Sequence, residues 1–411
     1  MSTKPRVFVT GMGAVTPLGV GISDFWNGVK EGRSGIVRVD DRFDLEGIKS
    51  KIGAPVLDFD PTEHIPQKRV RRLGRSVQFV LISAGEALKQ AGISDPDERT
   101  GAVVGTGIGD IKALTENHKK LLDRGARRVS PFFIPQLMPN APTAQISIEY
   151  GFEGPNYGAV SACSSGTHAV GLAADVLRSG RADVMLAGGA EAPMLSLAYA
   201  GFDRIGALST RNDQPEKASR PFDADRDGFV IGEGAGILVL ETERHLDERG
   251  KDPIAEIVGF GASADSHHIT SPPEDGHGAR NSMARALEDG GLKPTEVDYI
   301  NAHGTSTPLN DKVETKAIKD LFGDHAYRIP VSSVKSQIGH LVGAAGAVEA
   351  ISCCMALQDG YIPPTLNYEN RDEECDLDYN PGKGMTQDIS VALSNSFGFG
   401  GQNGTLVFRK P

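Results

Sequence analysis

Glycine is the residue type that most constrains this chain. Fifty of its 411 residues are glycine, and most of them follow short β-branched runs, where a strand has to end in a turn that a residue without a Cβ makes cheaply. Six such units read along the sequence: Val7 to Gly13, Ala102 to Gly109, Val184 to Gly189, Ile257 to Gly261, Tyr299 to Gly304 and Val391 to Gly401. Between them, segments with helical spacing run over Phe79 to Ala91, Gly166 to Arg178, Ala279 to Leu287, Asp311 to Leu321 and Ala344 to Leu357. Strands alternating with helices predict an α/β fold with mainly parallel, buried sheets. The series restarts near Asp252, because Pro253 to Gly261 reads like Arg6 to Gly13. Two similar halves, 1–250 and 251–411, are therefore expected, packed tightly because no low-complexity linker separates them. One long doubly wound domain is the alternative.

Charge removes several function classes. Lys plus Arg number 43 against 54 Asp plus Glu, a formal net charge of -11, so neither nucleic acid nor an anionic membrane surface is an expected partner. Four cysteines cannot build a disulfide framework, and no HExxH or comparable spacing suggests a metal. Two long stretches lack charge, Ser130 to Ile148 and Gly154 to Ala174, but prolines break the first and Gly, Ser and Asn fill the second, so neither reads as a membrane span. The first residues, from Met1 through Lys4 and Arg6, carry no apolar leader, and a cytoplasmic location is expected.

Three positions stand out chemically. In Gly158-Ala-Val-Ser-Ala-Cys163-Ser-Ser-Gly-Thr-His168 a cysteine opens a helix, where unpaired N–H groups and the helix dipole favour a thiolate. Cys163 is thus either a nucleophile or a cysteine packed among small residues. His303, in Asn301-Ala-His-Gly-Thr-Ser-Thr, and His340, in Lys335-Ser-Gln-Ile-Gly-His, each sit in a Gly turn. Each could project a ring into a cleft or be a satisfied structural histidine. His168, His267, His268 and His277 read as structural or surface residues. A nucleotide role is disfavoured: Gly11-Met-Gly13-Ala-Val-Thr16 lacks the third glycine of a dinucleotide fingerprint, and no GxxxxGK[ST] occurs.

Taken together, Ala162-Cys163-Ser-Ser-Gly, Asn301-Ala-His303-Gly-Thr-Ser-Thr, Val334-Lys335-Ser with Gly339-His340 and Glu349, and Asn395-Ser-Phe-Gly-Phe399-Gly-Gly resemble the β-ketoacyl-acyl-carrier-protein synthases, in particular the elongating ones. The resemblance extends through Leu208-Ser-Thr-Arg-Asn and Ser219-Arg-Pro-Phe-Asp. It implies a thiolase-like fold, two similar halves in a five-layered α-β-α-β-α arrangement, assembled as a homodimer. It also implies decarboxylative Claisen condensation of malonyl-carrier protein with an acyl chain held as a thioester on Cys163. His303 and His340 would bind the malonyl thioester and stabilise its enolate. Backbone N–H groups of Cys163 and Phe399 would hold the oxyanion, with Phe399 doubling as a gate. Lys335 and Glu349, with Asp311, would support the histidines.

By the same resemblance Thr305, Thr307, Thr270 and Gly400 would contact the pantetheine arm and its substrate, and Ile108 and Phe202 would line the acyl pocket. No cofactor is implied beyond the phosphopantetheine that the substrate carries, although a monovalent cation near Glu349 and Asn395 is compatible with it. The implied partner is acyl carrier protein, which is acidic. It would be met by Lys68, Arg69, Arg71, Arg72, Arg127, Arg128 and Arg204. The chain departs from the family's commoner residues at Ser164, at Gln337-Ile338 and at Gln402, without losing a donor assigned here. Other branches fit less well. Thiolases use a second cysteine near the C-terminus and none follows Cys375, initiating synthases pair Cys with His and Asn, and chain-length factors lack the cysteine. Polyketide ketosynthases share the same residues and remain open.

Overall fold

A computed structural model describes residues 5–94 and 97–411; Met1 to Lys4, most of the N-terminal segment read above, lie outside them. Ten principal strands form one sheet: β1 (Val7–Thr16), β2 (Thr100–Gly105), β3 (Asn156–Ala159), β4 (Val184–Glu191), β5 (Gly234–Thr242), β6 (Ala255–Ala264), β7 (Tyr299–Asn301), β8 (Val331–Ser332), β9 (Val391–Gly398) and β10 (Gln402–Arg409). Their spatial order is β8-β7-β9-β10-β6-β1-β5-β4-β2-β3. The order reads identically outward from the centre, since β6 to β10 repeat β1 to β5. The two edges meet antiparallel over Phe8↔Glu256 and Val9↔Ala255, so the strand that restarts the sequence pattern is the one that joins the halves.

Within each half two pairings are parallel, β4·β2 and β2·β3 in the first and β9·β7 and β7·β8 in the second. The pairings of β1 with β5, β5 with β4, β6 with β10 and β10 with β9 are antiparallel. The sheet is therefore mixed, not mainly parallel. One reason is local: β9 and β10 are joined by the three-residue loop 399–401, too short for the crossover that a parallel pair needs.

Eight helices matter for the site: α1 (Arg75–Ala91), α2 (Ile111–Arg124), α3 (Ala141–Tyr150), α4 (Ser165–Arg178), α5 (Ser196–Ile205), α6 (His277–Gly290), α7 (Pro308–Phe322) and α8 (Ala345–Asp359). α4 and α8 pack on each other between the halves of the sheet, α1 and α3 cover one outer face, and α6 and α7 the other. Five layers result, and the largest core runs through the middle one, with Val170, Ala173, Leu177, Val348 and Ile351 fully or almost fully buried. α8 is buried on nearly every side from Ala345 to Leu357, as a helix between two sheets must be. Among the described residues no helix is long and apolar enough to cross a membrane.

Candidate active site

Ala162 sets the first element of the site. Its backbone is left-handed, with φ 51°, which breaks the chain after β3 and delivers Cys163 in a single 3-10 turn ahead of α4. Hydroxyls fix that turn. Ser165 Oγ accepts from the Ser161 N–H and donates to the Ala162 carbonyl. Ser164 Oγ lies 2.9 Å from the Ser396 carbonyl and 2.7 Å from that of Gln402, which ties the cysteine to the β9–β10 hairpin. His168, read as structural, is so: Nε2 donates to the Asn403 carbonyl at 3.1 Å and Nδ1 accepts from the Ser161 hydroxyl at 2.6 Å.

The hairpin turn carries Phe399. Its backbone N–H and that of Cys163 lie close enough to the sulfur to favour its anion, so both are at hand for an oxygen that develops on a carbon bound to that sulfur. Gly398 makes the approach possible, because a Cβ there would lie 2.8 Å from the Ser161 carbonyl and 3.2 Å from the Cys163 nitrogen. Burial pushes the Cys163 thiol up to about 11, against the pull of Lys335 and the Phe399 N–H. The expectation of an easily ionised sulfur is thus corrected: desolvation of the anion outweighs the Lys335 charge and the N–H groups of Phe399 and Cys163.

His303 follows β7, and its N–H and that of Gly304 donate to Glu314 on α7, both at 2.8 Å. Its ring stands 5.4 Å from that of His340, nearly perpendicular, and its Nδ1 is buried without a hydrogen-bond partner. The Val342 N–H donates to Nδ1 of His340 at 3.3 Å, so Nε2 of that neutral ring holds the proton. Burial, reinforced by the positive charge of Lys335, holds both imidazoles well below their usual value. Lys335 forms an ion pair with Glu349, both side chains 1% exposed. Burial pushes the carboxyl of Glu349 up while Lys335 opposes.

Cys163, His303 and His340 line one cavity of about 340 Å³. Its walls include Phe202, Thr270, Thr305, Thr307 and Phe399, and it reaches the surface beside Ile205 and Leu309. Thr305 and Thr307 hydroxyls are 2.9 Å apart. Lys335 and Glu349 lie behind the wall. Asp311 is fully buried, accepting from the N–H groups of Phe222 and Ser306, and burial raises its pKa. Neither Ile108 nor Gly400 is on the wall; the Ile108 N–H is instead held by Glu191 at 3.3 Å, and the Gly400 N–H by the Ile269 carbonyl at 2.7 Å. His268, read as surface, lines the cavity.

Of the basic residues, Lys68, Arg71, Arg72, Arg127, Arg128 and Arg204 are exposed, whereas Arg69 is engaged by Glu149. Arg204 adjoins the cavity rim at Ile205. Sequence reasoning passed over Glu314, whose carboxyl burial pushes up to about 7. A second acid three residues after Asp311, on a face otherwise formed by Val313, Ala317 and Ile318, is the signal that could have found it.

Two family models match the chain, Beta-ketoacyl synthase, N-terminal domain, over residues 4–245 and Beta-ketoacyl synthase, C-terminal domain, over residues 254–369. A 3-oxoacyl-[acyl-carrier-protein] synthase 2 from Synechocystis sp. is 47% identical over 410 residues, covering 99% of this chain and 98% of that protein. A β-ketoacyl synthase from Burkholderia phymatum superposes with a TM-score of 0.91 at 37% identity, over 99% of this chain and 100% of the other. A type II polyketide ketosynthase solved with its acyl-carrier protein superposes with a TM-score of 0.93 at 34% identity, covering both chains completely. The mirrored sheet is accordingly the thiolase-like fold, and the chain belongs to the β-ketoacyl synthase family of condensing acyltransferases.

Proposed function

We propose that this chain elongates acyl chains on carrier protein by two carbons, through decarboxylative condensation in the cavity of Cys163. The observation that carries the reading is the meeting of that sulfur, two backbone N–H donors and two neutral imidazoles on one wall. Cys163 first attacks the thioester of an acyl carrier. A bond forms from its sulfur to the acyl carbon, the bond to the pantetheine sulfur breaks, and the thiol proton leaves with the departing arm. Malonyl carrier then enters, its thioester oxygen facing Nε2–H of His340 and the ring of His303. Loss of carbon dioxide leaves its electron pair in an enolate that these neutral donors stabilise. The enolate carbon attacks the acyl-Cys163 carbonyl, whose oxygen is received by the N–H groups of Cys163 and Phe399. Collapse breaks the carbon–sulfur bond, and Cys163 recovers a proton.

Lys335 adds its charge to the burial that keeps the imidazoles unprotonated, and Glu349 balances that charge. Asp311 supports the turn after His303 through the Ser306 N–H. Thr305, Thr307 and Thr270 would receive the pantetheine arm, and Phe202 the acyl chain. Ile108 and Gly400 are proposed to act from outside the cavity seen in a single chain. No cofactor is proposed beyond the substrate's phosphopantetheine. A monovalent cation near Glu349 and Asn395 would need free oxygens. Glu349 Oε2 and Asn301 Oδ1 are buried without partners, whereas Asn395 Oδ1 already accepts from Thr405. The fatty-acid reading is favoured over the polyketide one by the 47% identity to a 3-oxoacyl-[acyl-carrier-protein] synthase 2, against 34% to the polyketide ketosynthase.

The proposal includes a division into halves at 1–250 and 251–411, a cytoplasmic location, acyl carrier protein as partner and a homodimer. Strand β3 supports the dimer. It ends the sheet with a free edge, where Tyr157 is 50% exposed and Val160, just past the strand, 56%, a liability that a second copy would remove. In an assay with purified chain, acyl primer and malonyl carrier, Cys163→Ala is expected to abolish condensation while malonyl decarboxylation persists, because both histidines remain. Condensation surviving in the variant would refute the assignment.

A further inference from the structure

Glu191 ends β4 and is fully buried, yet no step described so far uses it. Four donors converge on its two oxygens. Oε1 accepts from the Thr106 hydroxyl at 2.9 Å and the Ile108 N–H at 3.3 Å. Oε2 accepts from the Gly107 N–H at 2.5 Å and the Gly343 N–H at 3.0 Å. The carboxylate thus bridges the turn after β2 and the turn before α8, which belong to opposite halves of the molecule. Those turns meet without room for a side chain. A Cβ on Gly343 would lie 2.3 Å from the Gly107 nitrogen, and one on Gly107 would lie 2.9 Å from Val342 Cγ1 and 3.3 Å from the Ala162 carbonyl.

Val342 precedes Gly343 with φ 49°. A β-branched residue resists this left-handed conformation and keeps it only where its surroundings over-determine it. In that conformation its N–H reaches Nδ1 of His340. We propose that Glu191 is a positioning residue for the condensation: by holding the Gly343 N–H it keeps Val342 left-handed, and Val342 fixes the His340 tautomer that offers Nε2–H to the malonyl thioester. The inference deepens the condensation reading and rests on it. A carboxylate suits the task because every partner is a donor. Glutamine has one acceptor oxygen, so it must release either the Oε1 pair or the Oε2 pair, and its own N–H groups would face donors.

The test compares Glu191→Gln, Val342→Gly and the double variant. The readouts are malonyl-carrier decarboxylation, iodoacetamide labelling of Cys163, and the imidazole nitrogen NMR shifts of His340, assigned by loss of signal in His340→Gln. Glu191→Gln is expected to lower decarboxylation kcat about 100-fold, as misplaced catalytic groups do. Proton signal should then appear at Nδ1 of His340, while KM and Cys163 labelling stay within about threefold. With glycine at 342 the left-handed turn no longer needs holding, so the double variant should decarboxylate within about threefold of Val342→Gly alone.

An unchanged tautomer in both Glu191→Gln and Glu191→Ala, the second leaving no oxygen for the Gly343 N–H, or a double variant far slower than Val342→Gly, overturns the proposal. A double variant that fails to fold also overturns it, assigning Glu191 to folding alone. A wild-type chain releasing no carbon dioxide from malonyl carrier would count against the condensation reading instead, while the nitrogen shifts would still report on Glu191.

Discussion

At the scale of single residues, the site stores its nucleophile as a thiol and its two bases as neutral rings, and one cause serves both. Desolvation disfavours whichever form is charged, so it raises an acid and lowers a base; Lys335 and the N–H groups of Phe399 and Cys163 moderate this at Cys163 without reversing it. Iodoacetamide alkylation of Cys163 should therefore accelerate as pH rises through the ordinary thiol value near 9, and level only as it nears about 11. The sign follows from the thiolate being the reactive form; a plateau at neutral pH would mean an ion pair had lowered the thiol. Cys163, His303 and His340 were legible because each carries a reactive side chain among small neighbours in the sequence. Glu191 was not, because it works by accepting backbone N–H groups, and such donors leave no mark in a sequence; Glu314 does likewise and shows only as a second acid on an apolar helix face.

At the scale of elements, the β9–β10 hairpin decides whether the oxyanion hole forms. Its turn presses Gly398 against the Ser161 carbonyl and the Cys163 nitrogen, so Gly398→Ala should displace the Phe399 N–H. Condensation kcat is expected to fall about 100-fold, as when one oxyanion donor is lost, with the KM for malonyl carrier little changed. An unaltered kcat would remove Phe399 from the mechanism. All five helices read from spacing are present; α7 starts three residues ahead of its apolar pattern, where the Thr307 hydroxyl accepts from the Asn310 N–H and caps it. Helix α2 escaped notice for a physical reason: Leu114, Leu121 and Leu122 remain 41%, 44% and 71% exposed, so its apolar residues do not mark one buried face. Strands β5 and β10 lacked a Gly turn of the expected kind and were likewise missed.

At the scale of the whole molecule, the chain carries a net charge of -11, so an acidic carrier protein, as proposed, would have to approach through local positive charge. Replacing both Arg127 and Arg128 with Glu should raise the apparent KM for the carrier about tenfold while altering kcat far less, an effect that added salt erases. A kcat effect larger than the KM effect would move docking elsewhere. Sedimentation should give twice the chain mass, and Tyr157→Asp on the free edge of β3 should return it to that of a single chain; a monomeric wild type would leave the exposed edge unexplained. The sequence alone determined the alternation of strand and helix, the restart near Asp252 and the motifs of the reacting groups, since each is written in neighbouring residues through local sterics and periodicity. Only the tertiary structure decided that antiparallel partners flank the parallel strands, that the sulfur is held protonated, and that one carboxylate bolts the two halves together behind the histidine. Those depend on burial and on contacts between residues far apart in the chain, such as Ser164 with Gln402, 238 positions on, and no local pattern encodes them.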